Sequence, residues 1–519
     1  MEEISRFYPI GIQTFSEVIE NGYIYVDKTQ YIRNMVRTKM KYVFLSRPRR
    51  FGKSLLVSTL HSYFEGQKEL FKGLAIAEYE KEWTKYPVLH FDFSNVGSKN
   101  ATMLTDELLL KLSYYEDIYG SREGEKMPNQ KLIGIVQRAY RQTGQKVVVL
   151  IDEYDNPLLG SIDNNEKLGE LRDVMQNFYS PLKSLDSYLQ FVFITGITKF
   201  SQVSIFSKLN NIQNISMLDE YAGICGITED ELHTYLEPDV ELIAQKYKVE
   251  KEEMYSRLRS NYDGYHFSPE SPDIYNPYSL LNSLKEKLIN AYWFESGTPT
   301  MLIKKLQQFD VQPTDIGGYY VNKEDFDTPT ESMKTIYPLL YQSGYVTIKN
   351  YDIDLNMYLL DIPNQEVRIG LMKCLLPNYI INDVAAKNIL NYAAYDFRRG
   401  NVDSALNRLK EYFLTIPYCD NIKYEGHYQQ MLYVMFNIMG IHPEVKKHTS
   451  SGRIDLSFRT STTLYIIELK IKETAQEALD QINRMNYAAL YAHEGLEIVK
   501  IGMKFDTTKG TLEEWVVER

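Results

Sequence analysis

Cysteine is scarce in this chain: Cys225, Cys374 and Cys419 are the three in 519 residues. They lie far apart and are odd in number, which excludes a disulfide framework and a CxxC zinc site. They are expected to serve as small buried hydrophobes. The eight histidines show no HxxxH or HExxH spacing, so there is no zinc ligand set of that kind. Long apolar runs are missing too. The stretch VVVLI (147–151) falls far short of the ~20 residues that span a bilayer. The first residues, MEEISRFYPIG, are acidic and lack an apolar signal core. The expectation is a cytoplasmic protein with no membrane partner. Positive charge is also in short supply, with a formal net charge of −11. Residues 421–519 carry 12 basic against 13 acidic side chains. A protein that coats nucleic acid is usually basic, so any nucleic-acid contact is confined to a local groove.

The composition, 44% hydrophobic and 24% charged, is that of a globular chain. At ~150 residues per domain the length suggests about three folding units.

Two hundred residues near the start alternate strand-like and helix-like patterns. KYVFLS (41–46) is apolar, aromatic and β-branched, and predicts a strand. Beyond it, Leu55, Leu56, Thr59, Leu60 and Tyr63 recur at helical spacing, with Gly52-Lys53-Ser54 at the helix start. Strand, loop and helix in that order are the context of a phosphate-binding loop, here Arg47, Pro48, Arg49, Arg50, Phe51, Gly52, Lys53, Ser54 and Leu55. Main-chain N–H groups at a helix start attract phosphate. Lys53 would reach the β- and γ-phosphates of ATP, and the Ser54 hydroxyl would sit on Mg²⁺. On the tripeptide alone, Lys53 is equally readable as a solvated helix-start lysine. KVVVLIDEYDNP (146–157) reads as a strand buried on both faces and ending in two carboxylates. Asp152 would hold the metal, and Glu153 would orient or deprotonate the attacking water; an exposed acidic turn is the alternative. LQFVFITGITKFS (189–201) supplies a further strand whose tip offers Thr195 or Thr198 to sense the γ-phosphate, unless both are threonines of simple β-propensity. YPVLHFDFSN (86–95) completes a repeated strand–helix rhythm, and hence a mostly parallel sheet.

YPIGIQTFSEVIENGYIYVDKTQYI (8–32), FLSRPRRFGKSLLVSTL (44–60), VVVLIDEYDNPL (147–158) and FITGITKFSQVSIFSKLNNI (193–212) resemble the AAA-ATPase-like family over residues 8–225. This is a bacterial group of P-loop ATPases often fused to a nuclease-like domain. The resemblance implies that RPRRFGKS is the family's form of the loop, with Arg47 in place of its first glycine. Arg47, Arg49 or Arg50 could touch phosphate, act across a subunit boundary in a homo-oligomer, or pair with local acids and solvent. It also implies that Phe15, Asp27 and Lys28 approach the base or brace the loop, although Phe15 is readable as core.

Residues 226–375 carry no evident chemistry. Thr228 followed by Glu231 predicts a capped helix start. YPLLYQSGYVTIKNYDIDLNMYLLDIPNQEVR (337–368) predicts a helix and then two strands separated by KNYDID, a winged-helix layout. Asp352 and Asp354 in the wing argue against DNA reading there. Amphipathic helices over 376–415 link to the last domain. The scheme is therefore 1–225, 226–375, 376–415 and 416–519.

GRIDLSFRTSTTLYIIELKIK (452–472) reads as a hairpin. A turn centred on Ser461-Thr462 sets Asp455 opposite Glu468, with Lys470 on the same face. Ile454, Leu456, Ile467 and Leu469 go to the other. Two close carboxylates invite a hard cation, Mg²⁺ or Mn²⁺. A surface hairpin with a cross-strand ion pair is the bland alternative. The Asp, gap, Glu-x-Lys pattern resembles the PD-(D/E)xK nuclease superfamily over about 420–505, although Arg453-Ile454 precede Asp455 where Pro could stand. The resemblance implies that Glu425 is the acid of the domain's first helix and that Gln481 and Tyr487 lie near the site.

The expectation is thus a multidomain α/β protein. It has a P-loop NTPase parallel sheet flanked by helices, a helical and winged-helix-like middle, and a restriction-endonuclease-like α/β domain. It would bind and hydrolyse ATP and cleave DNA or RNA with metal, gated by nucleotide. The alternative is an ATP-switched scaffold whose last domain binds without cutting.

Overall fold

The computed structural model describes residues 6–97, 100–161, 164–198, 211–293, 300–329, 333–375, 384–414, 425–449 and 452–519. The chain divides into two compact units, Met1–Trp293 with Gly318–Asn364, and Phe294–Gly317 with Gln365–Arg519.

A parallel sheet organises the first unit. Its strands are β1 (Tyr42–Ser46), β2 (Val88–Asp92), β3 (Val147–Asp152), β4 (Leu189–Gly196) and β5 (Gln213–Asn214), in the spatial order β2-β3-β4-β1-β5. All six residues of β3 are buried, as an apolar strand covered on both faces must be. β1 pairs with β4, and β4 with β3, so the strands carrying the loop, the threonines and the acids end side by side. Ligands of open α/β sheets bind at that carboxyl edge. Helix Lys53–Phe64 follows β1 and packs on β3. Gly52 opens it with φ near 89°, a left-handed conformation that favours glycine.

Further along, β6 (Ile227–Thr228) pairs antiparallel with β7 (Ile274–Tyr275). Helix Glu229–Tyr247 begins as its sequence predicts. The Thr228 hydroxyl accepts from the Glu231 N–H at 3.2 Å, and the Glu231 carboxylate accepts from the Thr228 N–H at 2.9 Å. This helix packs with Lys251–Tyr262 and Pro277–Glu286 around Leu232, Leu236, Val240, Leu258 and Leu280.

Helix Tyr337–Gln342 leads into an antiparallel sheet of β8 (Tyr319–Val321), β9 (Thr347–Asp352) and β10 (Met357–Asp361), ordered β8-β10-β9. The hairpin differs in detail from its expected form. Residues 349–352 lie within β9, and the turn falls at 353–356, where Asn356 adopts φ near 52°. Cross-strand stacking of Tyr351 on Tyr358, centroids 4.6 Å apart, favours this extended pairing.

The second unit holds helices Gln365–Leu375, Val384–Arg398, Val402–Leu414 and Glu425–Ile438 and a five-stranded mixed sheet. Its strands are β11 (Glu444–Thr449), β12 (Gly452–Arg459), β13 (Thr463–Lys470), β14 (Glu497–Asp506) and β15 (Thr511–Glu518), in sequential order. Only β13 and β14 run parallel, joined by helix Ala475–Arg484. The β12–β13 register pairs Leu456 with Ile467 and Phe458 with Tyr465, the register the sequence suggests. One side chain departs from expectation. Ile454 joins the apolar cluster of Leu464, Ile466, Leu479 and Ile482, at a point where β12 has left its ladder with β13, which ends at Leu456, and pairs with β11 alone.

Candidate nucleotide site and candidate metal centre

The first site forms where β1, β3 and β4 end. Lys53 is 4% exposed, so it is not a solvated helix-start lysine. Its Nζ donates to the carbonyls of Arg47 and Pro48, each at 3.2 Å, and lies 3.5 Å from Oε1 of Glu153. The Ser54 side chain lies close enough to the Asp152 carboxylate to favour its charged form, and that carboxylate accepts from the Glu153 N–H at 3.0 Å. Burial pushes the Asp152 carboxyl up to about 6, against the pull of Ser54. A buried acid of that kind gains from a nearby cation. Glu153 holds φ near 52°, an uncommon conformation for a residue with a side chain. Lys53, Ser54, Asp152 and Glu153 are therefore brought together.

The threonines differ. Thr195 is fully buried, and among the described residues its hydroxyl has no hydrogen-bond partner. The Thr198 hydroxyl donates to Asp155 Oδ2 at 2.6 Å, and the Thr198 and Ile197 N–H groups donate to the same oxygen at 2.7 and 3.1 Å. Asp155 lies inside the quoted IDEYDN stretch, yet sequence reasoning gave it no role. It is fully buried, and that burial lifts its carboxyl to about 6. The signal was the third acid after an apolar strand, spaced to face the neighbouring strand tip. Asp92, at the end of β2, pairs in register with Asp152 and was likewise passed over.

The front of the loop is packed into protein. Phe51 is buried edge-on against Tyr265 and Phe267. The Arg50 guanidinium lies 4.8 Å over the Tyr278 ring, and the Arg49 carbonyl accepts from the Trp293 indole at 3.4 Å. Pro48 fits beneath Gly344, where an added Cβ would meet its ring at 2.8 Å. Leu55 and Gly52 line a mostly apolar cavity of about 90 Å³, walled also by Tyr25, Val26, Ile224 and Gly226. Lys28 reaches the same cavity, with its ammonium bound to both oxygens of Glu231 at 2.7 and 2.6 Å. Phe15 is core, fully buried against Tyr25 and Phe71. Asp27 braces, accepting from the Thr29 and Ala75 N–H groups at 2.8 and 2.7 Å.

In the second unit, Asp455 sits where the β12–β13 ladder ends, and Oδ2 accepts from the Leu469 N–H at 3.0 Å. Glu468 is 2% exposed. Its Oε1 takes the Gln481 amide and lies 3.5 Å from Lys470 Nζ. Among the described residues its buried Oε2 has no hydrogen-bond partner. Burial and the neighbouring Asp455 charge raise the Glu468 carboxyl well above the usual range, and burial raises Asp455 as well. Glu425 opens its helix close enough to feel the charges of Lys470 and Asp455. Tyr487 donates to the Arg453 carbonyl at 3.0 Å, bracing the strand that carries Asp455. Gln429, which the sequence did not single out, donates to the Asp455 carbonyl at 2.6 Å. Asp455, Glu468, Lys470, Glu425 and Gln481 thus converge.

Among the described residues no three His, Cys, Asp or Glu side chains form a ready cation cage. The donor set is the Asp455–Glu468 pair with one bare, buried carboxylate oxygen. It fits a cation such as Mg²⁺, which keeps several waters and takes few protein ligands.

A family model described as predicted AAA-ATPase matches residues 9–206, and one for the PD-(D/E)XK nuclease superfamily matches 423–515. The chain is 32% identical to the "Uncharacterized protein in vnfD 5'region" of Azotobacter chroococcum mcd 1 over 532 aligned positions, covering 98% of each chain. The chain belongs to the AAA-ATPase-like family and carries a carboxyl-terminal domain of the PD-(D/E)XK nuclease superfamily.

Proposed function

We propose that this protein hydrolyses ATP in its first two hundred residues and cleaves DNA or RNA with its last hundred. The observation that carries the second half is the buried, bare Oε2 of Glu468 beside Asp455 and Lys470. Asp455 and Glu468 would hold Mg²⁺ or Mn²⁺, which when bound lowers the pKa of water and offsets charge on a phosphodiester. Lys470 neutralises the oxygens that gain charge at phosphorus. Gln481 orients Glu468 so that Oε2 stays free. Glu425 adds a third acid at the rim.

At the nucleotide site, Lys53 exchanges its contact with Glu153 for the β- and γ-phosphates. Glu153, so released, orients or deprotonates the attacking water. Ser54 and Asp152 would hold Mg²⁺, which would offset the charge that develops on the phosphates. Residues 47–52 and Leu55 form the loop, and Thr195 is the better-placed of the two threonines for the γ-phosphate because its hydroxyl is uncommitted. The cavity beside Gly52 and Leu55 takes the base. Nucleotide state would gate cleavage, since both sites lie on one chain.

The test is incubation of the full chain with single- and double-stranded DNA and RNA, Mg²⁺ or Mn²⁺, with and without ATP. Asp455→Ala and Lys53→Ala run beside it. Cleavage lost in Asp455→Ala supports the nuclease. Equal cleavage with ATP, without it and in Lys53→Ala removes the gating. The acidic balance of 421–519 favours a second reading, an ATP-switched scaffold that binds without cutting. Absence of cleavage under every condition, with ATP hydrolysis intact, would select it.

A further inference from the structure

Arg47 occupies the place of a loop glycine, yet its side chain is only 2% exposed. Among the described residues the two terminal nitrogens of its guanidinium donate only to main-chain carbonyls, and Nε finds no partner. Nη1 donates to Ser46 and Ser216 at 2.9 and 2.8 Å, and Nη2 to Tyr221 and Ala222 at 3.2 and 3.4 Å. Its Cζ lies 4.1 Å from the centre of the Phe267 ring. A planar fork can serve separate carbonyls while stacking on an aromatic face, and a lysine ammonium cannot do both. The main chain of the same residue is equally engaged. Its N–H donates to the Gly196 carbonyl at the tip of β4, at 3.3 Å. Its carbonyl, with that of Pro48, receives the Lys53 ammonium. One residue thus ties the 216–222 segment and the β4 tip to the lysine expected to meet phosphate.

We infer that Arg47 is a positioning residue for the phosphate site: its caged guanidinium fixes the carbonyls that hold Lys53, and it does not itself touch phosphate. The inference rests on the nucleotide-binding function proposed above. It predicts that the influence of Arg47 on affinity passes through Lys53 and is felt only by nucleotides long enough to reach it.

Binding of ATP and AMP to the full chain is measured by calorimetry for the native protein, Arg47→Lys, Arg47→Met, Lys53→Ala and each double variant. Arg47→Lys should weaken ATP roughly tenfold and leave AMP within about twofold, the scale on which small misplacements act. In the Lys53→Ala background the same substitution should change ATP affinity little. A full, independent loss in that background would mean that Arg47 meets phosphate itself, and would overturn the inference. So would equal losses for ATP and AMP, or native affinity in Arg47→Lys. Circular dichroism reports whether Arg47→Met folds; if it does not, Arg47→Lys carries the test. Failure of the native chain to bind ATP would instead sink the nucleotide-binding function, and this inference with it.

Discussion

Gln481 donates its side-chain amide to one oxygen of Glu468 and leaves the other oxygen bare and buried. The donor sits on helix Ala475–Arg484 and the acceptor on β13, so helix packing decides which carboxylate oxygen stays open. Partners that orient a metal ligand are typically worth ~10–100-fold in affinity. Gln481→Ala should weaken Mn²⁺ binding by about tenfold, and Asp455→Ala should abolish it. Calorimetric titration of the full chain with Mn²⁺ reads both, and unchanged affinity in Gln481→Ala would deny the orienting role.

The same pair makes stability depend on pH. Asp455 and Glu468 both titrate above the ordinary carboxylate range in the folded chain. The folded state therefore holds these protons more tightly than the unfolded chain does. The stability they contribute is complete below the ordinary carboxylate range and is lost as pH rises through the raised values. A bound cation replaces the protons, so the gain in unfolding midpoint from Mn²⁺ should grow between about pH 6 and about pH 8. Glu468→Gln should remove that gain and raise metal-free stability at the upper pH by on the order of 1–2 kcal/mol. Thermal melts with and without Mn²⁺ decide the matter; a gain independent of pH would count against it.

Thr195 and Thr198 should separate by measurement. Thr198→Val removes a 2.6 Å donor from the buried Asp155 and should cost ~1–3 kcal/mol in a urea melt. Thr195→Val removes a hydroxyl that has no partner and should leave stability within about 0.5 kcal/mol. Its loss should appear in phosphate release from ATP. The reverse pattern would exchange their roles.

Lys53→Ala and Glu153→Gln should fail at different steps. Removing Lys53 takes away the charge proposed to meet the phosphates, so ATP binding itself should fall. Glu153→Gln keeps shape and should retain ATP while turnover drops by ~10²–10⁴, the usual worth of a general base. Nucleotide binding and phosphate release, measured on the same preparations, separate the two. Retained turnover in Glu153→Gln would shift the base to Asp92 or Asp155.

Much of this was legible in the linear chain. Side-chain period and strand length carried the parallel sheet, because a strand buried on both faces has to be continuously apolar, as VVVLI is. The Thr228–Glu231 cap was legible because capping depends on residues three apart. The β12–β13 register followed from placing the turn at Ser461-Thr462, which sets every cross-strand pair of the hairpin.

What the sequence alone determined was therefore local: which residues extend, which coil, and which acids and basic groups stand at strand ends. Tertiary structure decided the rest. Arg47 looked like a phosphate ligand or a surface charge until residues 216–222 supplied the carbonyls that enclose it. Asp155 gained its place only when β4 came alongside β3. Glu468 acquired a bare oxygen, and a raised affinity for protons, only when helix Ala475–Arg484 closed over the sheet. Burial and the partners of a charged group depend on segments distant in the chain, and those two quantities set its chemistry.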